Sequence, residues 1–163
     1  MTFEDFVRSE LPALLRFAKV LCVDAGTAED VVQDVLGRAQ SRWDVIADMT
    51  APTAYVRRMI VNEYLSWRRK WSRITPVSMV PDRVVIDPAD AASDRACLVA
   101  EIARLPRRQR TVITMRYFLG LTDVEIAEDL GCSAGTVRSH LSRALHSLRV
   151  QIEIGEADDR VTH

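Results

Sequence analysis

The sequence predicts an all-α protein of two small helical domains joined by an irregular linker, and three observations carry that expectation. Apolar residues make up 48% of the 163 and recur mostly at three- and four-residue spacing, the period of a helix with one buried face. Glycines and prolines are sparse, six of each, as in helical proteins. Between Ser72 and Ala92 the period is lost across Pro76, Pro81 and Pro88 and scattered acids, which marks a domain boundary. The expected division is a helical domain over 1–71, a linker over 72–92, a second helical domain over 93–152 and an acidic C-terminal tail over 153–163.

In chain order, Thr2 to Ser9 reads as a short helix with Phe3, Phe6 and Val7 on one side. Pro12 suits the first turn of a new helix carrying Leu14, Leu15, Ala18, Leu21 and Cys22, which the stretch Asp24-Ala25-Gly26 would end. Thr27 then caps a second helix, with Glu29 and Asp30 near its positive end and a stripe of Val31, Val32, Val35, Leu36 and Ala39 up to Trp43. Asp30, Gln33, Asp34 and Arg38 fall on its other side. A third helix starts at Pro52 and runs to about Trp71, with Tyr55, Val56, Met59, Ile60, Tyr64 and Trp67 apolar and arginines between them. Helical spacing resumes at Ser93 with Ala96, Val99, Ile102 and Leu105, breaks at Pro106, and continues through Val112, Ile113 and Met115 to Gly120.

Leu121 to Leu148, LTDVEIAEDLGCSAGTVRSHLSRALHSL, has the punctuation of a helix-turn-helix. Thr122 and Glu125 form a T-x-x-E capping box, and Val124, Ile126, Ala127 and Leu130 supply the buried positions of a short helix. Gly131 suits the left-handed turn, and Ser133 caps the next helix, whose buried stripe is Val137, Leu141, Ala144, Leu145 and Leu148. The opposite face offers Thr136, Arg138, Ser139, Ser142 and Arg143, side chains able to reach base edges and phosphates in a major groove. An ordinary helical hairpin also carries caps and a turn glycine and stays an alternative for this segment alone, but the polar face at the spacing that groove docking needs favours DNA binding.

Charge and composition narrow the function classes. The net charge is −1 and the pI near 6.3, which taken alone argues against nucleic-acid binding. The average hides blocks: Arg57 to Arg73 holds five arginines and a lysine against one glutamate, and Arg104 to Arg116 holds five arginines and no acid. Such blocks can present basic faces to phosphate, although any single one also fits a solvated helix surface. On the third helix, Arg57, Arg58, Arg68, Arg69 and Lys70 stand among Tyr64, Trp67 and Trp71, which suits phosphate contacts beside groups that stack on unpaired bases. Asn62 has the donors and acceptor to meet a base edge, whereas Tyr64 and Trp67, three apart, fit a core stripe equally well.

Cys22, Cys97 and Cys132 are odd in number and lack CxxC spacing, against both a disulfide framework and structural zinc. His140 and His146 lie six apart on one helix and do not share a face, so no metal and no cofactor is expected. No phosphate loop, dinucleotide fingerprint or zincin motif is present, so no enzyme is expected. The acidic N-terminus lacks the form of a signal peptide and no apolar run approaches a membrane span, which gives a cytoplasmic expectation with no membrane insertion.

Three segments, AEDVVQDVLGRAQSRW (Ala28 to Trp43), AYVRRMIVNEYLSWRRK (Ala54 to Lys70) and the run from Leu105 to Arg149, make nearly the whole chain resemble an extracytoplasmic-function sigma factor of the sigma-70 class. The chain resembles in particular the small SigE-like group of actinobacteria. The resemblance implies a protein that binds core RNA polymerase through its beta-prime clamp and beta flap, recognises and opens promoter DNA, and is commonly held by an anti-sigma factor. It implies that the first segment binds the clamp, and Asp30, Gln33 and Asp34 make an acidic edge suited to a basic protein surface. It implies minus-10 recognition and melting by Arg57, Arg58, Asn62, Trp67, Arg68, Arg69 and Lys70, and minus-35 reading by Thr136, Arg138, Ser139, Ser142 and Arg143. In such factors the pocket for a flipped minus-10 base lies in the loop before the third helix, here about Val45 to Pro52. The alternative is a helix-turn-helix regulator that binds operator DNA without polymerase; it would need a receiver, ligand pocket or dimerisation helix upstream, where this chain has a basic aromatic helix.

Overall fold

The computed structural model describes the backbone of residues 1–74 and 94–161 and the side chains of 1–69 and 97–149. Every regular element among the described residues is a helix: α1 (Phe3–Cys22), α2 (Ala25–Gln40), α3 (Trp43–Ala47), α4 (Pro52–Ile74), α5 (Asp94–Arg104), α6 (Arg107–Tyr117), α7 (Asp123–Leu130) and α8 (Ala134–Val161). The chain divides into two units, Met1–Val85 and Ile86–His163. Most of the linker expected at 72–92 lies outside the described residues. No described helix is long and apolar enough to cross a membrane.

In the first unit α1 pairs with α2, and both pack on α4. The two N-terminal helices expected from the sequence are one, because α1 runs unbroken through Pro12. Proline removes one backbone donor and normally costs a helix interior about 3 kcal/mol. Its ring is exposed here, and the stripe of Phe6, Leu14, Phe17, Ala18 and Leu21 continues across it; each large side chain so buried returns about 1.5 to 3 kcal/mol. Between α1 and α2 the chain turns on Val23, at φ 67°, and its N–H bonds the Lys19 carbonyl. A β-branched residue there is strained, and burial of its side chain holds it.

Asp24, not Thr27, is the N-cap of α2: its carboxylate accepts from the Thr27 N–H and hydroxyl, both at 2.7 Å. Those two bonds hold the Asp24 carboxyl below the ordinary carboxylate value. Starting α2 at Ala25 places Glu29 and Asp30 beyond its first turn, away from the helix end they were expected to complement. Trp43 does not close α2 but opens the short α3, so part of the supposed loop before α4 is helical. Its ring packs against Phe6 at 4.7 Å and Phe3 at 5.5 Å between centroids, and its indole N–H donates to the Met1 carbonyl.

In the second unit α6 and α7 flank α8, and α5 also reaches it. The core is Ile102, Leu105, Val112, Ile113, Met115, Ile126, Val137, Ala144 and Leu148. Val124, expected among the buried positions, is 58% exposed. It lies two residues before Ile126, roughly 200° round the helix and so on the far side. The helix α8 continues past 152 through the acidic segment to Val161.

Candidate nucleic-acid interface

The turn between α7 and α8 is fixed by local chemistry. The Thr122 hydroxyl accepts from the Glu125 N–H at 3.2 Å and the Glu125 carboxylate accepts from the Thr122 N–H at 2.8 Å, closing a capping box. Gly131 stands at φ 67°, a conformation that costs any residue with a Cβ roughly 1 to 2 kcal/mol. The Ser133 hydroxyl accepts from the Thr136 N–H at 3.1 Å and caps α8.

With Val137, Ala144 and Leu148 facing inward, Arg138, Ser139, Ser142 and Arg143 are all exposed, and Thr136 is half-buried with its hydroxyl on Ser133 at 2.9 Å. At about 100° per residue, Arg138 and Ser142 form one flank of this outward arc, Thr136 and Arg143 the other, and Ser139 stands between. The five residues expected on one face therefore share it, held by a capped, packed helix. His140 lies behind the Arg143 flank. Partial burial, then the charges of Arg108 on α6 and of Arg143, hold its imidazole below its ordinary pKa, and its Nδ1 has no hydrogen-bond partner in the structure.

The basic block from Arg104 to Arg116 does not form one face. Arg110 is buried, its Nη1 donating to the carbonyls of Ala103 at 3.2 Å and Leu105 at 3.1 Å, so it stitches the α5–α6 corner. Arg116 donates to the Leu121 carbonyl at 3.1 Å and faces Asp123 at 3.7 Å, and Arg104 pairs with Glu101 at 3.2 Å. Three of the five arginines thus act within the unit.

The helix α4 sorts its basic and aromatic residues in the same way. Val56, Ile60, Val61 and Tyr64 are buried, which assigns Tyr64 to the core. Asn62 and Arg69 are exposed and Arg58 is half-buried; their spacing puts all three on one outer stripe with the exposed Tyr55. Arg57 instead lies over the Phe17 ring at 5.7 Å and Arg68 over the Tyr64 ring at 5.9 Å. Trp67 is half-buried, roughly 140° round the helix from Asn62, and its indole N–H donates to Glu63 at 3.1 Å. Glu63 also pairs with Arg38 of α2. The side chain of Lys70 lies outside the described residues. On α2, Asp30, Gln33 and Asp34 are exposed together on the outward face, around an equally exposed Gly37.

These two arrangements, an outward polar arc on a capped second helix and a basic stripe on a separate helical bundle, match one family along the chain. The profile described as "Sigma-70 region 2" matches residues 6–74, and that described as "Sigma-70, region 4" matches residues 95–148. The RNA polymerase sigma-E factor of Streptomyces avermitilis is 38% identical over 161 residues, 98% of this chain and 90% of that protein. The chain belongs to the sigma-70 family of RNA polymerase sigma factors.

Other similar proteins agree. The sigma factor of the extracytoplasmic-function class named SigL from Mycobacterium tuberculosis is 37% identical over 86% of this chain and 82% of its own. Among solved structures, the sigma factor RpoE from Bartonella quintana, in complex with the anti-sigma factor NepR, matches with TM-score 0.69 at 29% identity, covering 93% of this chain and 97% of that one. As a sigma factor the chain is a transcription initiation factor and not an enzyme, and the polymerase-independent operator binder is not favoured. Region 2 spans α1 to α4 and region 4 spans most of α5 to α8. One residue that sequence reasoning left without a role stands out in region 2, Glu63, which joins Arg38 to Trp67; Arg57, expected at the minus-10 element, also covers the Phe17 ring. The signal for Glu63 was visible, since it is the one acid in the stretch from Arg57 to Arg73.

Proposed function

We propose that this sigma factor binds core RNA polymerase through the outward face of α2, reads the minus-35 element with α8 and opens and reads the minus-10 element with α4. The observation that carries the reading is the outward arc of Arg138, Ser139, Ser142 and Arg143, with the half-buried Thr136 at its edge, on a helix whose start is fixed by cap and glycine. Two arginines and three hydroxyls on that arc supply phosphate contacts and base-edge readout together. The acidic face of Asp30, Gln33 and Asp34 meets a basic surface of the beta-prime clamp, and the minus-35 unit rests on the beta flap.

On α4, Arg58, Asn62 and Arg69 are the groups that meet DNA first, with Lys70 continuing the basic run. Arg57, Arg68 and Trp67 act from the flanks, where they shape the helix as well as its charge. The functional division follows residues 1–71 for polymerase and minus-10 contacts, 72–92 as the linker, 93–152 for minus-35 contacts and 153–163 as an acidic tail. The factor works in the cytoplasm, where polymerase and chromosome are, without membrane insertion. The solved complex of a similar sigma factor with NepR supports an anti-sigma partner for this chain as well.

Run-off transcription tests the reading: core polymerase plus this chain on fragmented genomic DNA yields discrete starts that share two upstream elements. Changing Asp34 weakens initiation at every start, and changing Arg138 weakens it by promoter sequence. Initiation that ignores both changes would remove the residue assignments, and protection of a DNA site by the chain alone, with no effect on core polymerase, would remove the polymerase role itself.

A further inference from the structure

Glu63 is placed to do more than join two helices. Its side chain is only 13% exposed, and its two oxygens have different partners: one meets the Arg38 guanidinium of α2, the other accepts the Trp67 indole N–H at 3.1 Å. Arg38 lies one helical turn beyond Asp34, on the flank of α2 next to the acidic outward face. Trp67 lies one turn beyond Glu63 and directly precedes Arg68 and Arg69. A line of contacts therefore runs from Arg38, on the flank of α2, through Glu63 to Trp67 in the basic C-terminal half of α4.

A nearly buried carboxylate is a poor way to gain stability, since an apolar side chain of similar size often serves as well or better. What the bridge supplies is orientation. The indole bond restrains the rotation of the Trp67 ring, and the ion pair fixes the position of α4 along α2. Only a carboxylate can satisfy both partners at once, because one oxygen neutralises the guanidinium while the other accepts from the indole.

We propose that Glu63 is a positioning residue for promoter opening: bridged to Arg38, it holds the Trp67 ring and the basic end of α4 in fixed register with the polymerase-binding helix α2. The inference rests on the reading of α4 as the strand-opening helix. When α2 is docked on polymerase, the opening face of α4 is then docked with it, and no separate ordering step is needed before strands part.

The test uses reconstituted holoenzyme on one promoter in two forms, fully duplex and with a pre-unpaired minus-10 segment, reading permanganate reactivity of unpaired thymines against time. Glu63→Ala slows opening of the duplex by about five- to tenfold, the net scale of one lost hydrogen bond, and leaves initiation on the unpaired template near the wild-type rate. Glu63→Gln, which keeps an acceptor for the indole and loses the charge for Arg38, falls between. In a Trp67→Phe background, which already lacks the indole N–H, Glu63→Ala adds less than it does alone. Equal losses on both templates, or full additivity with Trp67→Phe, would make Glu63 a plain structural residue and overturn the inference. Duplex opening at the wild-type rate in Glu63→Ala overturns it too. If the double change of Arg58 and Asn62 to Ala also leaves duplex opening untouched, the strand-opening reading of α4 has failed with it; if that change slows opening while Glu63→Ala does not, only the positioning role is lost.

Discussion

The helix α4 and the N-terminal half of α8 carry similar basic and polar residues and use them differently. On α8 the polar residues form one exposed arc and the buried stripe beneath them is purely apolar, so reading and packing are separated by face. On α4 they are mixed: Arg57 and Arg68 cover rings, Trp67 is tied through Glu63 to α2, and only Tyr55, Arg58, Asn62 and Arg69 make the outer stripe. The difference suits the two proposed tasks. A helix that enters a groove of intact duplex needs a rigid rod with an independent surface. A helix that stabilises unpaired strands must be held in place by the body that anchors it, and its side chains serve both ends.

Substitutions sharpen this contrast in order of effect. The largest falls on the platform of α8: Arg110→Ala removes two bonds to buried carbonyls and leaves a cavity, costing the second unit about 3 kcal/mol in denaturant unfolding. Arg138→Ala or Arg143→Ala leaves unfolding unchanged and weakens promoter binding by about 1 to 3 kcal/mol in competition assays across minus-35 variants, if that arginine reads a base. A loss that is equal on all sequences and shrinks with added salt assigns the arginine to phosphate instead. On α4 the two readouts should not separate so cleanly. Asn62→Ala, on the outer stripe, lowers minus-10 opening without changing stability, whereas Arg57→Ala lowers both, by about 1 kcal/mol in stability, because its guanidinium covers Phe17.

Smaller effects probe α2 and His140 on α8. Nothing lies within 4 Å of a Cβ built at Gly37, so Gly37→Ala raises thermal stability by up to about 1 kcal/mol. Where the beta-prime clamp approaches that face closely, as proposed, the same change weakens core binding, measured by fluorescence anisotropy. His140 adds a pH effect. Its folded pKa lies below the ordinary 6.5, so the unfolded chain binds the proton more readily, and stability is lost as pH falls through the histidine range towards the folded pKa. His140→Gln flattens that slope in thermal melts between pH 7 and 5.

How far this was legible depended on whether the cause was local. The helix-turn-helix could be read residue by residue because cap, box and glycine act within four positions, and Thr122, Glu125, Gly131 and Ser133 all take the expected roles. The α1–α2 corner takes the same φ at a valine, so the glycine of the Asp24-Ala25-Gly26 stretch expected to end the helix lies inside α2 instead, and Thr27 attracted the cap that Asp24 holds. Pro12 gave a helix start that packing overrode. The arginine block before the helix-turn-helix was visible as charge, but which arginines turn inward depends on the carbonyls of Ala103, Leu105 and Leu121, and charge patterns do not locate carbonyls.

The most direct test of the division of labour is site-specific photo-crosslinking within a holoenzyme–promoter complex, from a photoreactive group placed at Asn62 in one protein and at Ser139 in another. The account predicts that position 62 captures the minus-10 element and position 139 the minus-35 major groove, with both crosslinks dependent on core polymerase. Capture of the same element by both positions, or capture that persists without polymerase, would contradict it.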